Sequence, residues 1–137
     1  MAIKRFIAPL ILMALFLIST TMVFSADVQI IAYYFHGNTR CPTCHKMEQY
    51  TKQAIEENFK DELASGLLVV KTVNVEEKGS EHFAKDYQLY TKSLIISRVE
   101  NGKEIQYKNL TKIWEYVVDK KKFFNYVTTE INDYLKE

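Results

Sequence analysis

The chain holds only two cysteines and places them two residues apart, where an apolar stretch gives way to a helix-forming one. The apolar stretch is Val28-Gln29-Ile30-Ile31-Ala32-Tyr33-Tyr34-Phe35, β-branched and aromatic and about the length of a strand. Gly37-Asn38-Thr39 reads as a loop, and Arg40-Cys41-Pro42-Thr43-Cys44-His45 follows it. Lys46 to Ile55 is then rich in residues that favour helix. Pro42 suits the first helical turn, where its missing N–H costs nothing. A strand that runs into a helix, with paired thiols at the junction, asks for an α/β unit and points to dithiol redox chemistry. A bridge over so short a span restricts the unfolded chain little. The pair therefore makes better sense as a switch than as a staple.

The pattern downstream extends the α/β reading. Met47, Tyr50, Ala54, Ile55 and Phe59 form an apolar stripe on a helix expected from about Cys41 to Phe59. Lys46, Glu48, Lys52, Glu56 and Glu57 fall mostly on its other side. Leu67 to Val75 is the clearest strand, and its unbroken apolar start, Leu67 to Val70, suits a central strand covered on both faces. A short helix from about Ser80 to Tyr87 is expected, capped by Ser80, and Ser93 to Val99 is a further strand. Asn101-Gly102 is a strong hairpin signal, with Lys103 to Lys108 returning antiparallel. The tail should be helical in two pieces. Thr111 would cap the first, with Ile113, Trp114, Val117 and Val118. Asp119 would cap the second, whose apolar stripe is Phe124, Val127, Ile131 and Leu135. The order β-α-β-α-β-β-α makes a small α/β sheet of about four strands with helices on both faces.

The first 25 residues read differently. Lys4 and Arg5 precede an almost unbroken apolar run from Phe6 to Ile18, and Val23 and Ser25 stand where a signal-peptidase site needs small residues. Residues 1–25 are expected to be a cleaved signal peptide, or a retained anchor using residues 6–24, which have the length of a membrane span. Either places a domain of residues 26–137 outside the cytoplasm, periplasmic or extracytoplasmic. That domain keeps 16 basic residues against 17 acidic ones, a formal charge of −1. So neutral a domain has no electrostatic reason to bind nucleic acid.

At the helix start, the free backbone N–H groups and the positive end of the helix dipole favour thiolate over thiol. Cys41 occupies that place, with Arg40 beside it and His45 four residues on, and it is the expected nucleophile. Cys44 lies on the same side of the first turn and would resolve the mixed disulfide.

C-P-T-C between a first strand and a first helix, in this order of elements, resembles the thioredoxin-like superfamily. The resemblance covers about Gln29 to Glu137 and includes Thr72-Val73-Asn74-Val75-Glu76 followed by Ala84-Lys85-Asp86-Tyr87. It implies a thioredoxin-like fold and thiol–disulfide exchange with protein thiols and disulfides. It implies no cofactor beyond a redox-active Cys41–Cys44 disulfide, and it brings in a membrane electron-donor protein as a second partner. The chain departs from the family in two places. The family's cis-proline before the third strand is replaced by Tyr90-Thr91-Lys92-Ser93, where a trans peptide is expected. Thr91 or Lys92 would then face the active site. The family's buried acid on the first strand is also absent, with Tyr33, Tyr34 or His36 as the substitutes at hand.

Other chemistries share these letters. Cys41-Pro42-Thr43-Cys44-His45 also spells a c-type haem attachment motif, although four strands are foreign to small haem proteins of that kind. Two thiolates with His45 or His36 suit a soft ion such as Cu(I), so a copper-binding or metallochaperone domain on the same frame is the alternative from another class. His82 reads as a surface residue.

Overall fold

The computed structural model describes residues 26–137. The leader expected at residues 1–25 lies outside them. The nine elements run β1 (Val28–His36), α1 (Pro42–Asn58), α2 (Lys60–Ser65), β2 (Leu68–Asn74), α3 (His82–Asp86), β3 (Ser93–Glu100), β4 (Lys103–Asn109), α4 (Ile113–Tyr116) and α5 (Lys120–Lys136). One four-stranded sheet takes the order β2-β1-β3-β4. β1 pairs with β2 in parallel, with Tyr34 opposite Thr72, and with β3 antiparallel, with Ala32 opposite Ile96. β3 and β4 close the sheet antiparallel, with a bulge at Arg98/Val99. Parallel pairing of β1 and β2 needs a crossover, which α1 and α2 supply, whereas β3 and β4 need only the two-residue turn at Asn101-Gly102. Both turn residues have positive φ, 51° and 79°.

The alternation of β1 feeds two cores. Ile30, Ala32 and Tyr34 point to the side covered by α1 and α5, where Met47, Ile55 and Phe123 meet them. Phe35 points the other way, where Tyr87 and Ile95 join it with the half-buried Tyr33 and Phe83 packed alongside. The expected helices on both faces are therefore present.

Several sequence expectations need correcting. β2 is an edge strand, and the strand buried along most of its length is β3, from Ser93 to Arg98. The apolar run at the start of β2 does not distinguish these cases, because its far half, Lys71 and Thr72, is exposed. Glu81, not Ser80, is the N-cap of α3, and Lys112, not Thr111, that of α4; neither makes a side-chain cap hydrogen bond. Helices this short are set by tertiary packing more than by caps. Asp119 does cap α5, accepting from Lys122 N at 3.1 Å. The buried stripe of α5 is Phe123, Val127, Ile131 and Tyr134, with Phe124 and Leu135 only half-buried. Val118 is 87% exposed, outside the buried stripe expected for it.

Buried Arg98 ties the sheet to the end of α5. Its Nη1 donates to the Tyr134 carbonyl at 2.9 Å and its Nε to Glu100 at 2.9 Å. A cation on a carbonyl of the last helical turn satisfies an orphan acceptor and opposes the negative end of the dipole.

Candidate redox site at the start of the first helix

Cys41 is the N-cap of α1, with extended backbone (φ −90°, ψ 163°), and Pro42 follows as the first helical residue. Its sulfur accepts a hydrogen bond from Cys44 N at 3.1 Å, the role a serine or aspartate oxygen plays at other helix starts. Cys41 and Cys44 are joined as a disulfide, with Cα atoms 5.0 Å apart. Cys41 is exposed, as are Pro42 and Thr43, whereas Cys44 is 1% exposed. A nucleophile from solvent can therefore approach one sulfur of the bridge and not the other. Helix geometry alone produces this asymmetry, since the third residue of the first turn faces the core that the first strand lines.

Beneath the pair stands Tyr34, fully buried on β1, whose hydroxyl donates to the Cys44 carbonyl at 2.8 Å. Burial pushes its phenol from 10.0 up to about 12, with the nearby Arg40 charge acting in the opposite sense. Of the three residues named as stand-ins for a strand acid, Tyr34 is the one hydrogen-bonded to the cysteine segment. Tyr33 lies on the opposite face, and His36 Nδ1 lies 2.9 Å from the Gly37 carbonyl.

The tyrosines give the domain an alkaline limit. Burial also raises the phenols of Tyr33, Tyr87, Tyr126 and Tyr134. A folded-state value above the unfolded one means the stabilisation is complete below the unfolded value near 10 and is lost as pH rises through the folded one. For Tyr34 that window is roughly pH 10 to 12. The denaturant midpoint is expected to hold steady up to about pH 9 and then fall, and phenolate absorbance should rise together with unfolding. A midpoint unchanged at about pH 11.5 would contradict this placement of the tyrosines.

The loop that carries Arg40 to the helix is lashed to the end of β2. Asn74 Nδ2 donates to Asn38 Oδ1 at 2.8 Å, Glu76 N donates to Asn74 Oδ1 at 3.0 Å, and the Glu76 carboxylate accepts from Asn38 N. Gly37 sits against that carboxylate, where a Cβ would collide with Glu76 Oε2. Asn74 and Glu76 were invisible as site residues in the sequence, because their role depends on parallel pairing that brings two loops to one end of the sheet.

Thr91 and Lys92, expected to face the cysteines, line a pocket of about 190 Å³ with His36, Gly37, Glu76 and Tyr90. Neither cysteine lines it. No cis peptide bond occurs among the described residues, so the Thr91–Lys92 link is trans. The Trp114 indole N–H donates to the Lys92 carbonyl at 3.0 Å, which places that tryptophan on the rim, 39% exposed. His45 is exposed and lines a surface groove with Arg40, Glu48 and Lys52. Glu48, expected on the solvated face, has a side chain only 14% exposed and contacts the Arg40 guanidinium. His82 is exposed and pairs with Asp86, as a surface residue should. Among the described residues no group of three or more His, Cys, Asp or Glu side chains is arranged to hold a metal ion.

A parallel β1-β2 pair joined through α1, an antiparallel β3-β4 hairpin beside it, and a Cys-Pro-Thr-Cys bridge at the start of the first helix decide the architecture. The fold is thioredoxin-like. The chain is similar to two solved thioredoxin structures. A Fasciola hepatica thioredoxin has 18% identity and a TM-score of 0.38, over 66% of this chain and 79% of its own. A Thermus thermophilus thioredoxin has 15% identity and a TM-score of 0.38, over 66% of this chain and 72% of its own. No family model matches the chain, and no curated protein sequence does. The assignment rests on the strand order and on where the pair sits.

Proposed function

We propose that the protein is an extracytoplasmic thiol–disulfide oxidoreductase that exchanges disulfides with protein substrates through Cys41 and Cys44. The observation that carries this reading is exposed Cys41 at the helix start, its sulfur accepting from the Cys44 N–H, beside a buried Cys44. In the reduced protein, the Cys41 thiolate attacks one sulfur of a substrate disulfide and expels the other as thiolate. Cys44 then gives up its proton and attacks Cys41 Sγ, which releases the second substrate thiol and restores the Cys41–Cys44 bridge. Two electrons pass from the pair to the substrate, and the reverse sequence oxidises a substrate dithiol. Stabilising the Cys41 thiolate favours the reduced form and so leans the pair towards oxidising its partners. For the reductive direction, the exported setting calls for a membrane electron-donor protein to re-reduce the bridge.

The direct test is reduction of insulin disulfides with dithiothreitol as the electron source, beside a Cu(I) titration. Acceleration over dithiothreitol alone is expected. No acceleration together with tight copper binding would transfer the site to metal handling. The extracytoplasmic setting rests on Lys4, Arg5 and the apolar run that follows. Expressed in an exporting host, the domain is expected outside the cytoplasm, either beginning near Ala26 or held at the membrane by its leader. Full-length chain recovered free in the cytoplasm would overturn that placement.

A further inference from the structure

Glu48 stands four residues after Cys44 on α1 and holds two cations at once. The guanidinium of Arg40, the residue directly before Cys41, packs against its Oε2, and Lys52 Nζ donates to its Oε1 at 2.7 Å. A solvated pair on a helix surface would leave the carboxylate in water and contribute little. Here the Glu48 side chain is 14% exposed and that of Arg40 24%. Arg40 Nε and Nη2 are both buried with no hydrogen-bond partner among the described residues, so the guanidinium meets Glu48 as a charge pair and not as a two-pronged hydrogen bond. The charge of Arg40 also reaches the Tyr34 hydroxyl, and that hydroxyl donates to the Cys44 carbonyl. Arg40 is bonded directly to Cys41 along the chain, which puts its charge beside the pair.

We propose that Glu48 is a positioning residue that sets the balance between the disulfide and thiolate states of Cys41–Cys44, by neutralising and anchoring the Arg40 cation. The proposal rests on the redox reading above. Reduction by glutathione consumes two glutathione thiols and yields one glutathione disulfide, a Cys44 thiol and a Cys41 thiolate, with one proton released. A negative charge thus appears at Cys41 that the bridge did not carry, and every nearby fixed charge weighs on the equilibrium. The charged and titratable groups around it are Arg40, His45, Glu48, Lys52 and Glu56 along the groove, and Tyr34 beneath. Lys120 of α5 lies over the Tyr50 ring on the other flank of α1. Glu48 is the carboxylate among these in direct contact with Arg40, and its removal leaves that cation and Lys52 uncompensated.

The test equilibrates wild type, Glu48→Gln, Arg40→Gln and the double variant with glutathione buffers, and reads the oxidised fraction by thiol alkylation. Glu48→Gln should shift the equilibrium about three- to tenfold towards the reduced protein, and lower the pH at which Cys41 becomes reactive. Arg40→Gln should shift both in the opposite direction, and the double variant should return close to wild type. Opposite signs distinguish charge compensation from a general loosening of the helix, which would move both variants alike. Shifts of the same sign, or no shift in either, overturn the proposal. If Glu48→Gln does not fold, the sign for Arg40→Gln decides, a move towards the oxidised protein supporting the role of Glu48 and any other result overturning it. A wild-type pair that never equilibrates with glutathione overturns the redox reading itself, which the variants' signs do not.

Discussion

Cys41→Ser is expected to reduce insulin disulfides no faster than dithiothreitol alone, whereas Cys44→Ser should react once and stop as a covalent complex with its substrate. The two outcomes differ because the two sulfurs occupy different environments three residues apart. Cys41 is exposed and its sulfur accepts the Cys44 N–H, so an attacking or attacked sulfur from outside meets Cys41. Removing it removes the proposed nucleophile, and no neighbouring group has comparable intrinsic reactivity. Cys44 is 1% exposed, packed above Tyr34, and reaches only the sulfur already next to it. Its replacement leaves the first exchange intact and deletes the second, so the mixed disulfide accumulates. Mass spectrometry of Cys44→Ser after exposure to a disulfide-rich protein should find the adduct on Cys41. Sustained turnover by either variant would contradict this division of labour.

The site was legible in the sequence to the extent that it is local. A helix start, a proline in its first turn and two thiols at a spacing of three specify most of the geometry at Cys41 and Cys44 without any tertiary information. What was not legible depends on long-range pairing. Asn74 and Glu76 hold the Gly37–Arg40 loop only because β2 lies parallel to β1 and ends beside it. Trp114 reaches the Lys92 carbonyl only because the hairpin returns the chain to the same end of the sheet. Glu48 looked like one more charge on a solvated helix face, since nothing in a helical wheel shows that Arg40 folds back over it. The edge position of β2 was hidden for a related reason. An apolar run measures how much side-chain surface a strand offers, while its place in the sheet is decided by which neighbours remain for it after β1 pairs with β3.

The same limit governs α5 and leads to the largest expected change in stability. The stripe read from the sequence, Phe124-Val127-Ile131-Leu135, and the one observed, Phe123-Val127-Ile131-Tyr134, each span twelve residues, about three helical turns. Periodicity fits both equally, and the two share Val127 and Ile131. The choice is made by how the helix enters its packing against α1 after the Asp119 cap. Phe123 is 0% exposed and meets the Tyr50 ring edge-on at 5.6 Å, at the seam between α1 and α5. Phe124 is half-buried, with Lys120 Nζ 5.0 Å from its ring centre. Phe123→Ala should therefore leave a cavity in the main core and cost about 3–5 kcal/mol. For a domain of this size that lowers the melting temperature by roughly 10–25 °C. Phe124→Ala should cost only about 1–2 kcal/mol, since much of its surface is already in water. Paired thermal melts of the two variants read the rotation of α5 directly. Equal losses, or a larger one at Phe124, would mean that the helix packs on the face the periodicity alone suggested.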